Sequence, residues 1–176
     1  MHHENIFTLA LLSILSIHVQ AQDIAYYLNH PQISTTAKDY YNGTFWASDD
    51  VRTFSILDSL YTYNDSTRPF YFLLVSNMMH RSDGALSELV GVACRNLLES
   101  HPNEALEFLY ANTALARPEF RNDWAKGIAG EFMIACEGKE KPCIKNWFDK
   151  AMRKTDKENR NSLHDLLNKI TSFINP

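Results

Sequence analysis

Four signatures of chemistry are missing from this sequence. It holds no GxSxG nucleophile elbow, no SxxK pair, no GxxxxGK[ST] phosphate loop and no GxGxxG dinucleotide fingerprint. The hydrolases, nucleotide binders and dinucleotide oxidoreductases that announce themselves by these motifs are therefore not indicated, and no cofactor is expected. Histidine is scarce as well. Only His30, His80, His101 and His164 follow residue 21, and no two form an i, i+4 pair or an HExxH arrangement, so no metal site is expected. A strong field of one sign is also lacking: 17 basic residues face 21 acidic ones. That balance excludes the basic surface a nucleic-acid partner requires. Beyond residue 21 no uninterrupted apolar run reaches the roughly 20 residues that span a bilayer, so no transmembrane segment is expected in the mature chain.

What is present begins with "IFTLALLSILSI" at residues 6–17, a twelve-residue apolar run followed by polar residues and the small-residue ending "VQA". This is the layout of a secretory signal peptide over residues 1–21, cleaved after Ala21. The expected location is periplasmic or secreted. The mature chain then carries 20 acidic and 17 basic groups, enough residues for one compact domain, and its charge is uneven. Residues 139–160 hold eight Lys or Arg against four Asp or Glu, whereas residues 22–138 hold eight against fifteen.

From residue 48 onward the apolar positions recur at helical spacing. Over residues 83–100, Leu86, Leu89, Val90, Ala93, Cys94, Leu97 and Leu98 follow an i, i+3, i+4, i+7 pattern that strand alternation cannot produce. Ser48 is expected to cap a first helix and Ser66 or Thr67 a second that opens at Pro69. Pro102, Pro118 and Pro142 are expected to open later ones, and Gly138 to terminate one in the left-handed region. The reading is all-α: about seven antiparallel helices over residues 48–176, as stacked helical hairpins in a short solenoid-like array or as an irregular bundle. The segment "PFYFLLVSNMMH" is apolar on nearly every side and is expected to be the most buried helix.

Residues 22–47 read differently. Helical periodicity lapses, Pro31 and Gly43 interrupt, and six aromatics crowd into 21 residues. An arm with a short helix near Ile24 to Leu28, draped over the first hairpin, is the expectation. Tyr40, Tyr41, Phe45 and Trp46 are its candidate binding residues, because exposed rings anchor a protein or stack on a sugar. The alternative is that they seal the open end of the helical stack.

Other candidates carry bland readings beside sharper ones. His80 with Asp83, and His101 with Glu104, stand at helix junctions, where they complement helix dipoles. Asp49 and Asp50 read as a first-turn feature, and Gly127 and Gly130 as sites of close helix approach. The basic run from Lys141 to Arg160 reads as a solvated face opposite Trp147 and Phe148, or as a surface for an anionic envelope partner. An enzyme reading would need a site assembled from distant residues, with His80, Asp83, Glu88 and His101 as contributors.

The stretches "YYNGTFWASDD" and "RPFYFLL…SDGALSE" resemble uncharacterised secreted all-helical proteins of the Bacteroidota over residues 40–90. That resemblance implies export without implying an activity. It also implies that Ser66, in "DST", is a candidate O-glycosylation site; in a eukaryotic secretory pathway Asn42 and Asn64 would be N-glycan acceptors instead.

The three cysteines follow from the compartment. In an oxidising one, Cys136 and Cys143 at the facing ends of consecutive helices are expected to form a disulfide, and Cys94 on an apolar helix face to stay a buried free thiol. Zinc is disfavoured, since two thiolates without a nearby histidine leave four-coordination incomplete. The functional expectation is an exported, non-catalytic binding module that presents a helical surface to an envelope protein or glycan, immunity-type inhibition being one version. An envelope hydrolase is the alternative.

Overall fold

The computed structural model describes residues 24–61, 64–82, 84–110 and 115–174. The signal-peptide expectation for residues 1–21 and the candidate Asp83 lie outside them. Among the described residues the chain is all-α, with no strand. Residues 24–29 form α1. They are followed by α2 (Thr35–Tyr41), α3 (Val51–Asp58), α4 (Arg68–Arg81), α5 (Gly84–Ser100), α6 (Pro102–Tyr110), α7 (Phe120–Ala135), α8 (Glu140–Lys154) and α9 (Arg160–Ile174). Short 3₁₀ turns follow α3 and precede α9.

The seven helices expected after residue 48 are α3 to α9, although their starts shift. Asp50 caps α3 in place of Ser48: its carboxylate accepts from the Thr53 N–H at 2.8 Å, while the Ser48 hydroxyl donates to that carboxylate. A carboxylate is the stronger acceptor, and it also complements the positive helix end. Helix α7 begins at Phe120 with Pro118 in the preceding turn, and α8 begins at Glu140 with Pro142 inside its first turn, where no intrahelical N–H is needed. The arm holds one helix more than its pattern suggested. Helix α2 is only seven residues long, too short to display a period; Ser34 caps it by accepting from Ala37 N, and Ala37 is fully buried.

The principal contacts join helices no more than three apart in chain order. Helices α5, α7 and α9 touch in succession, as do α4, α6 and α8, so the chain builds two rows whose neighbours are close in sequence. The contact map is therefore largely local, as in helical bundles and in stacked helical hairpins alike.

Helix α7 is the hub, packing on α4, α5, α6, α8 and α9. Phe120, Trp124, Ile128 and Phe132, spaced by four, are all essentially inaccessible. A column of rings runs through the core: Phe72 stacks on Phe108 at 4.8 Å and on Trp124 at 6.0 Å, and Phe108 faces Phe120 at 6.5 Å. The Trp124 indole N–H donates to Ser76 Oγ at 2.9 Å, satisfying the polar atom of an otherwise apolar payload. Helix α4 fulfils the expectation of greatest burial, with ten of its fourteen residues buried. It is covered by the arm, α3, α5, α6 and α7, which leaves only Pro69, Asn77, His80 and Arg81 outside the buried set.

Helices α5 and α7 cross closely at glycine. A Cβ at Gly91 would stand 2.8 Å from the Gly127 carbonyl oxygen, and one at Gly127 would meet the Met79 side chain. At the other end of α7, Cys136 is bonded to Cys143 in the first turn of α8, with Cα atoms 6.2 Å apart. Gly138, at φ +71°, turns the chain between them, and its N–H donates to Glu140 Oε1 at 2.8 Å. Cys94 is free and buried, and burial pushes its thiol pKa well up, which suppresses the reactive thiolate.

Candidate binding cleft between the arm and α4

The arm is fastened to α4 by rings and polar bridges. Tyr27 stacks on Phe70 at 5.4 Å, Tyr41 lies 5.6 Å from the same ring, and Ser34 N–H donates to the Tyr71 hydroxyl at 3.3 Å. From α3, Arg52 pairs with Asp39 at 2.9 Å and lays its guanidinium over the Phe45 ring at 4.0 Å. After α2 the chain reverses at Gly43, φ +74°, where the Thr44 and Phe45 N–H groups donate back to the Asp39 carbonyl. An L side chain rarely adopts that conformation.

The turn sorts the four aromatic candidates. Phe45 faces inward, 7% exposed beneath Arg52, with Tyr40 edge-on to it at 6.4 Å. Tyr40 is half-buried; burial raises its phenol pKa, and the nearby Arg81 charge opposes that rise. Tyr41 and Trp46 point outward, Trp46 with 73% of its surface exposed. Phe45 and Tyr40 therefore act in the seal, Trp46 presents its face to solvent, and Tyr41, 38% exposed and 5.6 Å from Phe70, does both.

Between arm and α4 lies a cleft of about 420 Å³ lined by Ile24, Tyr40, Tyr41, Leu73, Asn77, Arg81, Leu115 and Arg117. A smaller hollow of about 160 Å³ adjoins it across Tyr40, Tyr41 and Arg81 and extends to Phe45 and Trp46. Leu73, Asn77 and Arg81 recur every four residues, so one stripe of α4 forms a wall, apolar at depth and cationic at the rim. Arg117 comes from the chain ahead of α7. It donates to the Asn77 side-chain oxygen, stands 3.5 Å from Glu119 and lies 4.4 Å over Phe120. Among the described residues neither hollow is lined by a carboxylate.

Asn77, Arg81 and Arg117 were not among the sequence candidates. The step of four from Leu73 was the only available signal, and in a helix so widely buried it marks no face.

The other candidates are dispersed. His80 pairs with Asp123 of α7, Nδ1 to Oδ2 at 2.9 Å. His101 sits beyond the far end of α5, where its Nδ1 meets Ser100 Oγ at 2.9 Å, and it lines an open groove between α3 and α5. Helix α5 runs 17 residues, about 25 Å at the helical rise, so His80 and His101 do not converge. Glu88 is exposed on α5. It adds to the upward push that burial exerts on the Glu131 carboxyl, against the opposing charge of Arg95, which pairs with Glu131 at 3.1 Å.

Much of the basic run is structural. Lys150 pairs with Glu99 at 3.1 Å, Lys154 donates to the Glu99 carbonyl at 2.9 Å, and Lys145 pairs with Asp149 at 2.6 Å. The first two stitch α8 to the negative end of α5. Ser66 lies exposed in the turn before α4, its hydroxyl donating to Asn64 Oδ1 at 2.6 Å. No group of three or more His, Cys, Asp or Glu among the described residues is placed to hold a metal ion.

Fold and cleft together define a small all-α protein of locally connected helices, closed at one end by an aromatic arm. Compared with protein-family models, with curated proteins and with solved structures, the chain matches none. Among the described residues no helix is long and apolar enough to cross a membrane.

Proposed function

We propose that this protein is an exported, non-catalytic binding module that engages an envelope protein or glycan through the cleft between its arm and α4. The observation that carries the reading is the pair of exposed rings, Tyr41 and Trp46, set beside Arg81 around the smaller hollow. A large rigid ring exposed next to a guanidinium is the usual material of a binding hot spot, since both offer contact area at little entropic cost. Export is supported by the apolar run ahead of Ala21 and by the Cys136–Cys143 bond, which persists in oxidising compartments. An immunity-type inhibitor of a toxic enzyme is one form such a module takes. Exposure of Ser66 in its turn supports it as an O-glycan attachment point, which intact-mass analysis of the secreted protein would detect.

The test is retention of envelope components on the immobilised, disulfide-bonded protein at several salt concentrations. A stoichiometric partner held by the wild type and lost from the Tyr41→Ala/Trp46→Ala double variant is the expected result. Equal retention by both proteins, or none by the wild type in any condition, overturns the reading.

A further inference from the structure

We infer that the cleft takes an acidic saccharide, with the anionic group of one sugar held by Arg81, Arg117 and Asn77 and the adjoining sugar ring lying on Trp46. This rests on the cleft being the binding site, and it specifies the ligand from the chemistry of the walls.

Three observations point the same way. Residues that carry hydrogen-bond donors predominate in the described lining of the cleft: Arg81, Arg117, Tyr40, Tyr41 and Asn77. The Asn77 side-chain oxygen is already taken by Arg117, so its NH₂ group is the part left to a ligand. An ionised carboxylate or phosphate accepts on every oxygen and offers no donor, which makes it the complement of such a wall. Second, Arg117 is held in place by Asn77, Glu119 and the Phe120 face, so little side-chain freedom is lost when it binds. Arg81 lines both hollows and couples the anion site to the rings.

Third, size and lining suit a sugar better than an apolar side chain. A volume of about 420 Å³ falls in the range of about 300–1,000 Å³ for small-ligand sites. Among its eight described lining residues only Ile24, Leu73 and Leu115 are aliphatic, whereas a pocket for a protein's apolar anchor is predominantly hydrophobic. The 160 Å³ hollow beside it ends on the open face of Trp46, a flat apolar surface against which the C–H face of a pyranose packs.

Calorimetric titration of the intact protein with trigalacturonate, its neutral methyl ester, mannose 6-phosphate, sialyllactose, free acetate and free phosphate tests the assignment. Saturable binding of at least one acidic sugar is expected. For the carboxylated trisaccharide the methyl ester should bind at least about tenfold more weakly, the value of a lost charge-assisted hydrogen bond. Arg81→Gln should weaken the acidic ligand by at least about tenfold, and Trp46→Ala by about two- to tenfold. Both side chains are exposed, and circular dichroism should show the fold intact. Free acetate and phosphate separate recognition of the anion alone from recognition of a sugar that carries it.

Equal binding of acid and ester, binding by free anions as strong as by the sugars, or no binding of any acidic sugar overturns the inference. So does an acidic peptide that binds more tightly than the sugars and loses that binding in the same variants, which would make the occupant a protein segment. If the envelope partner is still retained by the wild type and lost from the double variant while no acidic sugar titrates, the saccharide assignment fails and the binding-module reading stands.

Discussion

The two ends of this molecule are held together by different means. In the stack from α5 to α9 the joints are apolar and close: α7 buries four large side chains in a row, glycines let α5 approach its backbone, and a disulfide staples α7 to α8. In the arm the joints are rings laid on rings, a guanidinium over Phe45, and hydrogen bonds to Tyr71 and Asp39. Side chains in the first region are committed to packing, and a change there should appear as lost stability. Side chains in the second are divided between sealing and solvent, so the outward ones are free to serve a ligand.

Two tryptophans give the widest contrast. Trp124→Ala removes a fully buried ring and strands the Ser76 hydroxyl, and is expected to cost about 3–5 kcal/mol. Trp46→Ala should change stability by no more than about 0.5 kcal/mol. Urea denaturation of both proteins measures the gap, and similar shifts would erase the distinction between packed stack and presenting arm.

The staple comes next. The Cys136→Ser/Cys143→Ser variant should lose about 2–3 kcal/mol, the loop-closure entropy of so short a ring, and reductant should lower the wild type by a similar amount while leaving the variant unmoved. One free thiol in the denatured, unreduced wild type, from Cys94, is the accompanying expectation; three would contradict the bridge.

Smaller effects probe the glycine crossing. Gly91→Ala drives a methyl against a backbone carbonyl that cannot step aside, and about 1–3 kcal/mol should be lost. Gly127→Ala meets the tail of Met79, which can swing away, and the better helix propensity of alanine offsets part of the strain. Thermal unfolding should therefore rank Gly91→Ala as the more damaging. The opposite order would place the tight contact in the side chain instead of the backbone.

At the boundary between the regions, Asp50 provides the smallest and most conditional effect. Its pKa is lowered chiefly by the Thr53 N–H bond, so the capped state is favoured by ionisation. The stabilisation is fully present above the unfolded carboxyl value near 3.9 and fades as pH falls through the lower folded value. Asp50→Ala should destabilise the protein at pH 7 and converge on the wild type in acid. A difference that stays constant with pH would mean the carboxylate is not the cap.

Much of the array was legible in advance because its signals are local. The spacing of Leu86 to Leu98 marks α5 and the step of four from Phe120 marks α7, since a face that repeats many times along a helix leaves a periodic trace. Helix α2 left no such trace over seven residues, and Asp50, two residues beyond Ser48, takes the cap because its carboxylate is the stronger acceptor for the Thr53 N–H. The cleft was half legible. Its aromatic wall is contiguous in sequence at residues 40–46, but its cationic wall joins the end of α4 to the segment before α7, nearly forty residues apart.

By itself the sequence determined the helical class, the positions of the later helices, the cysteines placed to meet across one turn and the aromatic character of the arm. These depend on periodicity, turn chemistry and spacing, which act between residues a few positions apart. Only the tertiary structure decided that Phe45 turns inward while Trp46 turns outward, that His80 meets Asp123, and that Arg81 and Arg117 share a hollow with two tyrosines. Those outcomes depend on which helix faces lie together, and that is a property of packing.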